Sequence, residues 1–488
     1  MNNSPSIQTL NHFPPLPLVI TYSDEMAIAP KDENNILFGL QQYGRVRRVN
    51  LRVPSSSFRM WFCKMDQPFP GLEELALSST STEEKNLVLP ETLQAPGLRH
   101  LALDGIGLPL ASLSSAIALS TISLTQIGAS CYFPPTHLVT QLQLLPRLEE
   151  LTISFAISIP RPSSEAKLLL APIPPVTLPS LRRLKFEGVD VYLDNLVAQI
   201  HAPLLQQLSL TLHFDLGFTL VNLTEFIQRT EGFRCLAGRV IFNKDGASID
   251  AVYDEQQLGV DAIGKSSLHI NVNCKPLDWQ INSAAEICSA LGEVLSAVEE
   301  LTVDLRVFGM PLDWESTLDD VPWLELLLPF IGVKKLHIGS SLSLELSQAL
   351  QSDVGGLVLP GLQGLEVSLK IDDVTNALTA FIETRESIGR PIRLLVPPED
   401  EEENLRLQNT LAVLKSRKRE LEHQRELAGV EAERKENEKW KARALAECKE
   451  KEKWKARALA LEKLLKGSNV SLSESFSGGF WAAEGERE

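Results

Sequence analysis

The sequence predicts an α/β chain in which a strand–helix unit recurs along residues 41–398. Three observations carry that prediction. A Pro-x-Leu-x-x-Leu-x-apolar phrase occurs six times, the segments between copies have helical periodicity, and the composition changes abruptly near residue 397.

The phrase reads PGLEELAL (Pro70 to Leu77), PGLRHLAL (Pro96 to Leu103), PRLEELTI (Pro146 to Ile153), PSLRRLKF (Pro179 to Phe186), PLLQQLSL (Pro203 to Leu210) and PGLQGLEV (Pro360 to Val367). Proline stops a preceding helix. The final three positions alternate apolar, any, apolar, which is the period of a short strand. Weaker copies start at Val46, Leu119, Ala237, Lys265, Val298 and Val333, and a partial copy, IRLLV, starts at Ile392. Leu-x-x-Leu-x-Leu is the opening of a leucine-rich repeat, a unit of about 20–29 residues. Several spacings here are longer, so the predicted solenoid is irregular.

The intervening segments HLVTQLQLL (137–145), YLDNLVAQI (192–200), NLTEFIQRT (222–230), AEICSALGEVLSAV (285–298), LSQALQSDV (346–354) and VTNALTAFIETRES (374–387) place apolar residues three and four apart, as amphipathic helices do. One strand and one helix per repeat give a curved parallel sheet with helices on its outer side. Residues 1–40 read as a partly irregular lead-in. The outward residue that follows the strand's closing apolar position in each phrase faces the concave side. Asp104, Ser154, Glu187, Thr211 and Asp304 are therefore the candidate partner contacts.

Residues 399–466 follow PPEDEEEN and read as a long helix or coiled coil, rich in Leu, Ala, Glu, Lys and Arg. A candidate seam runs through Leu407, Leu411, Leu414, Leu421, Ala428, Trp440, Trp454, Leu461 and Leu465, interrupted by Lys418, Arg425 and Lys451. KWKARALA occurs at 439–446 and again at 453–460, two heptads apart. Two readings stay open: a homo-oligomerising or partner-binding coiled coil, and a solvated single helix held by i,i+4 pairs. Residues 467–488 are Gly-, Ser- and Glu-rich and are expected to be a disordered tail.

The net charge is −16. Residues 401–466 hold 18 Lys and Arg against 14 Asp and Glu, so they carry +4 and the remainder carries −20. An acidic body disfavours nucleic acid, which needs clustered basic residues. The six cysteines are scattered without a C-x-x-C pair, as in reduced thiols of the cytoplasm or nucleus. No apolar run is long enough for a membrane span, and no signal peptide is visible. There is no P-loop, G-x-G-x-x-G, H-E-x-x-H or G-x-S-x-G motif, so neither an enzyme nor a cofactor or metal is expected. A P-L-D-W phrase recurs at Trp279 and Trp314, and packing at the edge of each unit is the preferred reading.

The phrases LPLVITYSDE, NNILFGLQQYGRVRRVNLRVPSS, FPGLEELALSSTSTEE, APGLRHLALDGIGLP, YFPPTHLVTQLQLLPRLEELTISF, APLLQQLSLTL, LDWQINSAAEIC and LLPFIGVKKLHIG together resemble fungal F-box proteins with degenerate leucine-rich repeats, over about residues 14–398. The resemblance implies a repeat domain that binds protein substrates. It also implies an F-box that docks on the Skp-type adaptor of a cullin–RING ubiquitin ligase. An F-box opens with Leu-Pro-x-Glu-(Ile/Leu). The near match here, LPETL (Leu89 to Leu93), lacks the spacer residue and falls inside the repeats, so the F-box itself is expected to be missing. The chain is thus expected to be a non-catalytic recognition module related to ligase substrate receptors. The alternative is a scaffold oligomerised through residues 401–466 and unrelated to ubiquitination.

Overall fold

A computed structural model describes residues 16–24, 28–63, 65, 67–80, 87–156, 175–213, 220–230, 235–252, 268–306, 323–339, 342–350, 358–367, 381–395, 453 and 455. The chain divides into two compact units, Met1–Glu399 and Asp400–Glu488. The candidate coiled-coil seam, the tail at 467–488 and Trp314 lie outside the described residues.

The first unit is α/β. Its main sheet has fifteen described strands: β1 (Leu18–Ser23), β2 (Val46–Val53), β3 (Glu74–Ser79), β4 (His100–Asp104), β5 (Thr121–Ile127), β6 (Glu150–Phe155), β8 (Arg183–Gly188), β10 (Gln207–His213), β11 (Ala237–Asn243), β12 (Gly246–Val252), β13 (Leu268–Asn273), β14 (Glu300–Leu305), β15 (Lys335–Ile338), β16 (Gly364–Val367) and β17 (Arg393–Leu395). Two short strands, β7 (Val176–Thr177) and β9 (Ile200–His201), form a separate parallel pair. From β1 to β10 each main-sheet strand lies parallel beside the next, and from β14 to β17 the same stepwise order resumes.

Each phrase builds the same local structure. Its proline occupies the second position of a four-residue turn, where its fixed φ is already suitable. The first leucine closes the turn. The N–H groups of Leu72, Leu98, Leu148, Leu181, Leu205 and Leu362 donate to the carbonyls of Phe69, Ala95, Leu145, Leu178, Ala202 and Leu359 at 3.0–3.3 Å. The next residue hooks onto the preceding phrase: Arg99 N–H reaches Glu73 O, and Arg182 N–H reaches Glu149 O, both at 2.8 Å. The leucines then turn inward. Leu72, Leu75 and Leu77 are buried, as are their counterparts Leu98, Leu101 and Leu103. Fully burying one such side chain is worth roughly 1.5–3 kcal/mol.

Helices cover the leucine face, and one continuous apolar cluster runs from Ile36 to Ile392. Helices at Pro135–Leu142, Asp190–Ala198, Val221–Gln228, Leu277–Ala290 and Ser343–Leu350, with residues 381–387, fall on segments whose periodicity predicts them. Strict alternation does not hold. The described residues between β3 and β4 contain no helix, and a 3-10 helix, Leu110–Ser115, links β4 to β5.

Asp194 joins two of these helices. The helix Val221–Gln228 has no side-chain cap of its own at Leu220. Asp194, on the preceding helix, accepts the N–H groups of Asn222 at 2.9 Å and Leu223 at 3.1 Å, and its other oxygen accepts Asn222 Nδ2 at 2.7 Å. A carboxylate at that end also meets the positive end of the helix dipole. Arg385 has a comparable role at the last phrase. Fully buried, it donates to the carbonyls of Val358, Pro360 and Leu362 at 3.3–3.5 Å. It thereby braces a turn in which Leu359 adopts a φ of 53°, a conformation uncommon for a side chain of that kind.

The lead-in contains a strand and a helix: β1 pairs with β2, and the helix Pro30–Gln41 follows it. One expectation is corrected. The expected strand sequence is reversed in the middle. After β10 the chain skips two positions to form β11, folds back as the antiparallel β12, and returns as β13 beside β10, giving the order β10-β13-β12-β11-β14. The reversal is set by a two-residue hairpin, Lys244–Asp245, where Asn243 Oδ1 accepts the N–H of Asp245 at 2.8 Å and of Gly246 at 3.2 Å. Gly246 is required by proximity, since a Cβ there would sit 1.8 Å from Val272 O.

Trp279 also departs from its preferred packing reading. It is 46% exposed at the start of the helix Leu277–Ala290. LPETL is not a helical opening, because Val88 bridges to Gly107 and Leu93 N–H closes a turn on Pro90 O.

Gly246→Ala is expected to lower stability by about 2–3 kcal/mol, because the new methyl displaces backbone. Asp194→Ala is expected to cost about 1–2 kcal/mol through the lost cap. Urea titration of each variant measures both, and an Asp194→Ala midpoint equal to that of the unsubstituted chain would remove the capping role.

Candidate functional site

The sheet face opposite the leucines carries the spacer residues. Because neighbouring strands pair in register, residues from distant parts of the sequence line up in rows across them. One row runs Asn50, Ala76, Ala102, Ser123, Thr152, Lys185, Ser209, His269, Asp250, Arg239, Thr302, His337, Glu366. The next, toward the carboxyl end of β2, runs Arg52, Ser78, Asp104 and Thr125, then Ser154, Glu187, Thr211, Asn271, Ser248, Ile241 and Asp304. Where it passes from Thr125 to Ser154, a bulge in β5 leaves Gln126 at a φ of 53°.

All five residues singled out by spacing fall in this second row. Asp104, Glu187, Thr211 and Asp304 are partly exposed, whereas Ser154 is only 3% exposed and points into a hydrogen bond. The spacing rule also reaches Ser78, Thr125 and Asn271, which follow Leu77, Leu124 and Ile270. Ser248 and Ile241 come from the inserted hairpin, where the phrase is absent or weak. Ile241 is buried although it lies outside the main apolar cluster.

Three polar networks hold the face. Asp104 accepts Ser78 Oγ at 2.8 Å and Thr125 Oγ1 at 2.9 Å. Glu187 accepts Ser154 Oγ at 2.8 Å and lies 3.5 Å from His213 Nε2. His213 Nδ1 in turn meets Asn273 Nδ2 at 3.1 Å, and Asn273 Oδ1 accepts Asn271 Nδ2 at 2.8 Å. In the third, Asp250 contacts His269 Nδ1 at 2.5 Å and Arg239 Nε at 3.6 Å.

The Ser154–Glu187–His213 chain contains the residue types of a hydrolytic triad in the wrong order. Nucleophilic serine needs the imidazole as its immediate base, with the carboxylate behind it. Here the carboxylate stands between the two, so His213 is not placed to take the hydroxyl's proton. Two of the thiols are equally unsuited, because burial pushes Cys274 up to about 11 and Cys288 further. Both stay protonated at neutral pH, and the thiolate is the reactive form. Among the described residues, no group of three or more His, Cys, Asp or Glu is placed to hold a metal ion.

Nearer the amino ends of the strands, charges alternate and pair. Arg47 Nε lies 2.8 Å from Glu73, Arg48 3.6 Å from Glu74, and Lys334 2.7 Å from Glu299, while Arg183 contacts Glu150. Hydrogen bonding by Arg47 holds the Glu73 carboxyl below the usual carboxylate range. Exposed pairs of this kind contribute little each, about 0.2–1 kcal/mol.

No protein-family model matches the chain, and no curated protein matches it. Among the described residues, no helix is long and apolar enough to cross a membrane.

Burial lowers the pKa of His213, against an opposing pull from Glu187. A histidine that resists protonation when folded binds fewer protons than the unfolded chain just below pH 6.5, so stability falls as pH falls through that region. The stability lost between pH 7 and 5.5 is expected to shrink in His213→Asn. Urea midpoints at both pH values test this, and an unchanged pH dependence in the variant would contradict it.

Proposed function

We propose that the chain is a non-catalytic protein-recognition module, an irregular leucine-rich-repeat solenoid that binds its ligand on the concave, polar face of the sheet. The observation that carries this reading is the register. It gathers one spacer residue from each successive strand into continuous rows, while the leucines between them seal the opposite face under helices. Spacer residues in such rows vary without disturbing the core, which suits a surface that recognises another protein. The Ser154–Glu187–His213 order and the protonated thiols of Cys274 and Cys288 favour binding over covalent chemistry.

The quoted phrases support kinship with the substrate-binding repeats of F-box proteins, in which the repeat face selects substrates for ubiquitination. The turn at Leu89–Leu93 supplies no adaptor-binding helix, so adaptor binding is not part of the function proposed for this segment.

A protein captured by the full chain and titrated in purified form is expected to bind at least tenfold more weakly to Thr211→Arg, a loss of about 1.4 kcal/mol. Glu225→Arg, on the helical side, is expected to leave binding unchanged. Equal affinities for both variants would remove the polar face as the binding surface.

A further inference from the structure

The carboxylates of the polar face fall into two groups. Glu73, Glu74, Glu150, Asp250, Glu299 and Glu366 each lie against an arginine or lysine. Asp104, Glu187 and Asp304 do not, among the described residues. Asp104 is held by two hydroxyls, and Glu187 by Ser154 and by His213, whose pKa burial lowers against the pull of Glu187. Asp304 accepts the N–H of Leu305 at 2.8 Å, and it fits because position 339 is glycine, where a Cβ would lie 2.1 Å from its Oδ1. All three share one row, and from Ser78 to Asp304 that row contains no lysine or arginine. These carboxylates are oriented by neutral donors and left without a cationic partner among the described residues.

We propose that this row receives an extended, Lys- or Arg-bearing segment of a partner protein, laid across the strands with its cations on Asp104, Glu187 and Asp304. This rests on the recognition reading above and specifies its ligand. Strands in a sheet lie about 4.8 Å apart. Asp104 and Glu187 are separated by three strand steps, and Glu187 and Asp304 by five. At about 3.4 Å per extended residue, the matching cations lie about four and then about six to eight residues apart, even spacings that keep them on one side of the extended segment. Charge complementarity of this kind also steers encounter, so association slows as salt rises.

The test is selection of a phage-displayed library of random twelve-residue peptides on the full chain, counter-selected on Thr211→Arg. The expected binders carry Lys or Arg near positions 1, 5 and 11. They should bind about tenfold more weakly to the triple variant Asp104→Asn, Glu187→Gln, Asp304→Asn, and about equally to the rim variant Glu73→Gln, Glu299→Gln. The carboxamides keep an oxygen to accept the Ser and Thr hydroxyls, and thermal melting verifies the fold. If melting drops, the single Asp104→Asn variant is used instead, with a two- to threefold loss expected. Face-directed binders without basic enrichment would overturn this proposal and leave the recognition reading standing. So would basic binders indifferent to the triple variant. The absence of any face-directed binder would overturn both.

Discussion

Everything in this architecture depends on strands pairing in register over a stacked leucine core. No single repeat can bury its own leucines. Leu75 and Leu77 are covered because Val49 and Leu51 of the strand before, and Leu101 and Leu103 of the strand after, stand directly beside them. A slip of one residue would turn leucines outward and spacers inward along a whole strand. The turn closed on each proline and the backbone hook onto the preceding strand fix the starting points of the six phrase strands, so register is set locally there and then propagated. The rows on the polar face follow from that constraint. They exist because the core on the other side allows only one alignment.

The same constraint explains why the face is polar yet orderly. Residues one strand apart are close enough to bond, so Ser78 and Thr125 reach Asp104 from either side, and Ser154 reaches Glu187 from its neighbour. Near the amino ends of the strands, opposite charges on adjacent strands neutralise each other. Further along, the donors are hydroxyls and amides, which position carboxylates without cancelling their charge. Carboxylates held in this way by neighbouring hydroxyls would lose little side-chain order on binding a ligand.

Much of this was legible in the sequence. The phrases marked β3, β4, β6, β8, β10 and β16 through their leucine spacing, and the three-and-four periodicity marked the helices between them. The rule that selected Asp104, Glu187, Thr211 and Asp304 gathers them in one row because the side-chain period of a strand is two. The inserted hairpin was harder to see. Its second strand, GASIDAV, has small and polar residues where a phrase would have leucines, and the order of strands in a sheet is a non-local property. A cue existed in Asp245–Gly246, a hairpin-favouring pair. Strand β1 escaped because LVITYS stands ahead of the first phrase, among prolines. Burial of Ser154 and the Ser–Glu–His arrangement depend on contacts between strands that are 26 to 33 residues apart, which spacing alone does not reveal.

The most direct measurement of the central claim is site-specific photo-crosslinking to a bound ligand, with a benzophenone side chain placed at Thr211 on the polar face or at Glu225 on the helical side. The account predicts crosslinked ligand from position 211 and none from position 225. Crosslinking from 225 alone, or equally from both, would contradict it.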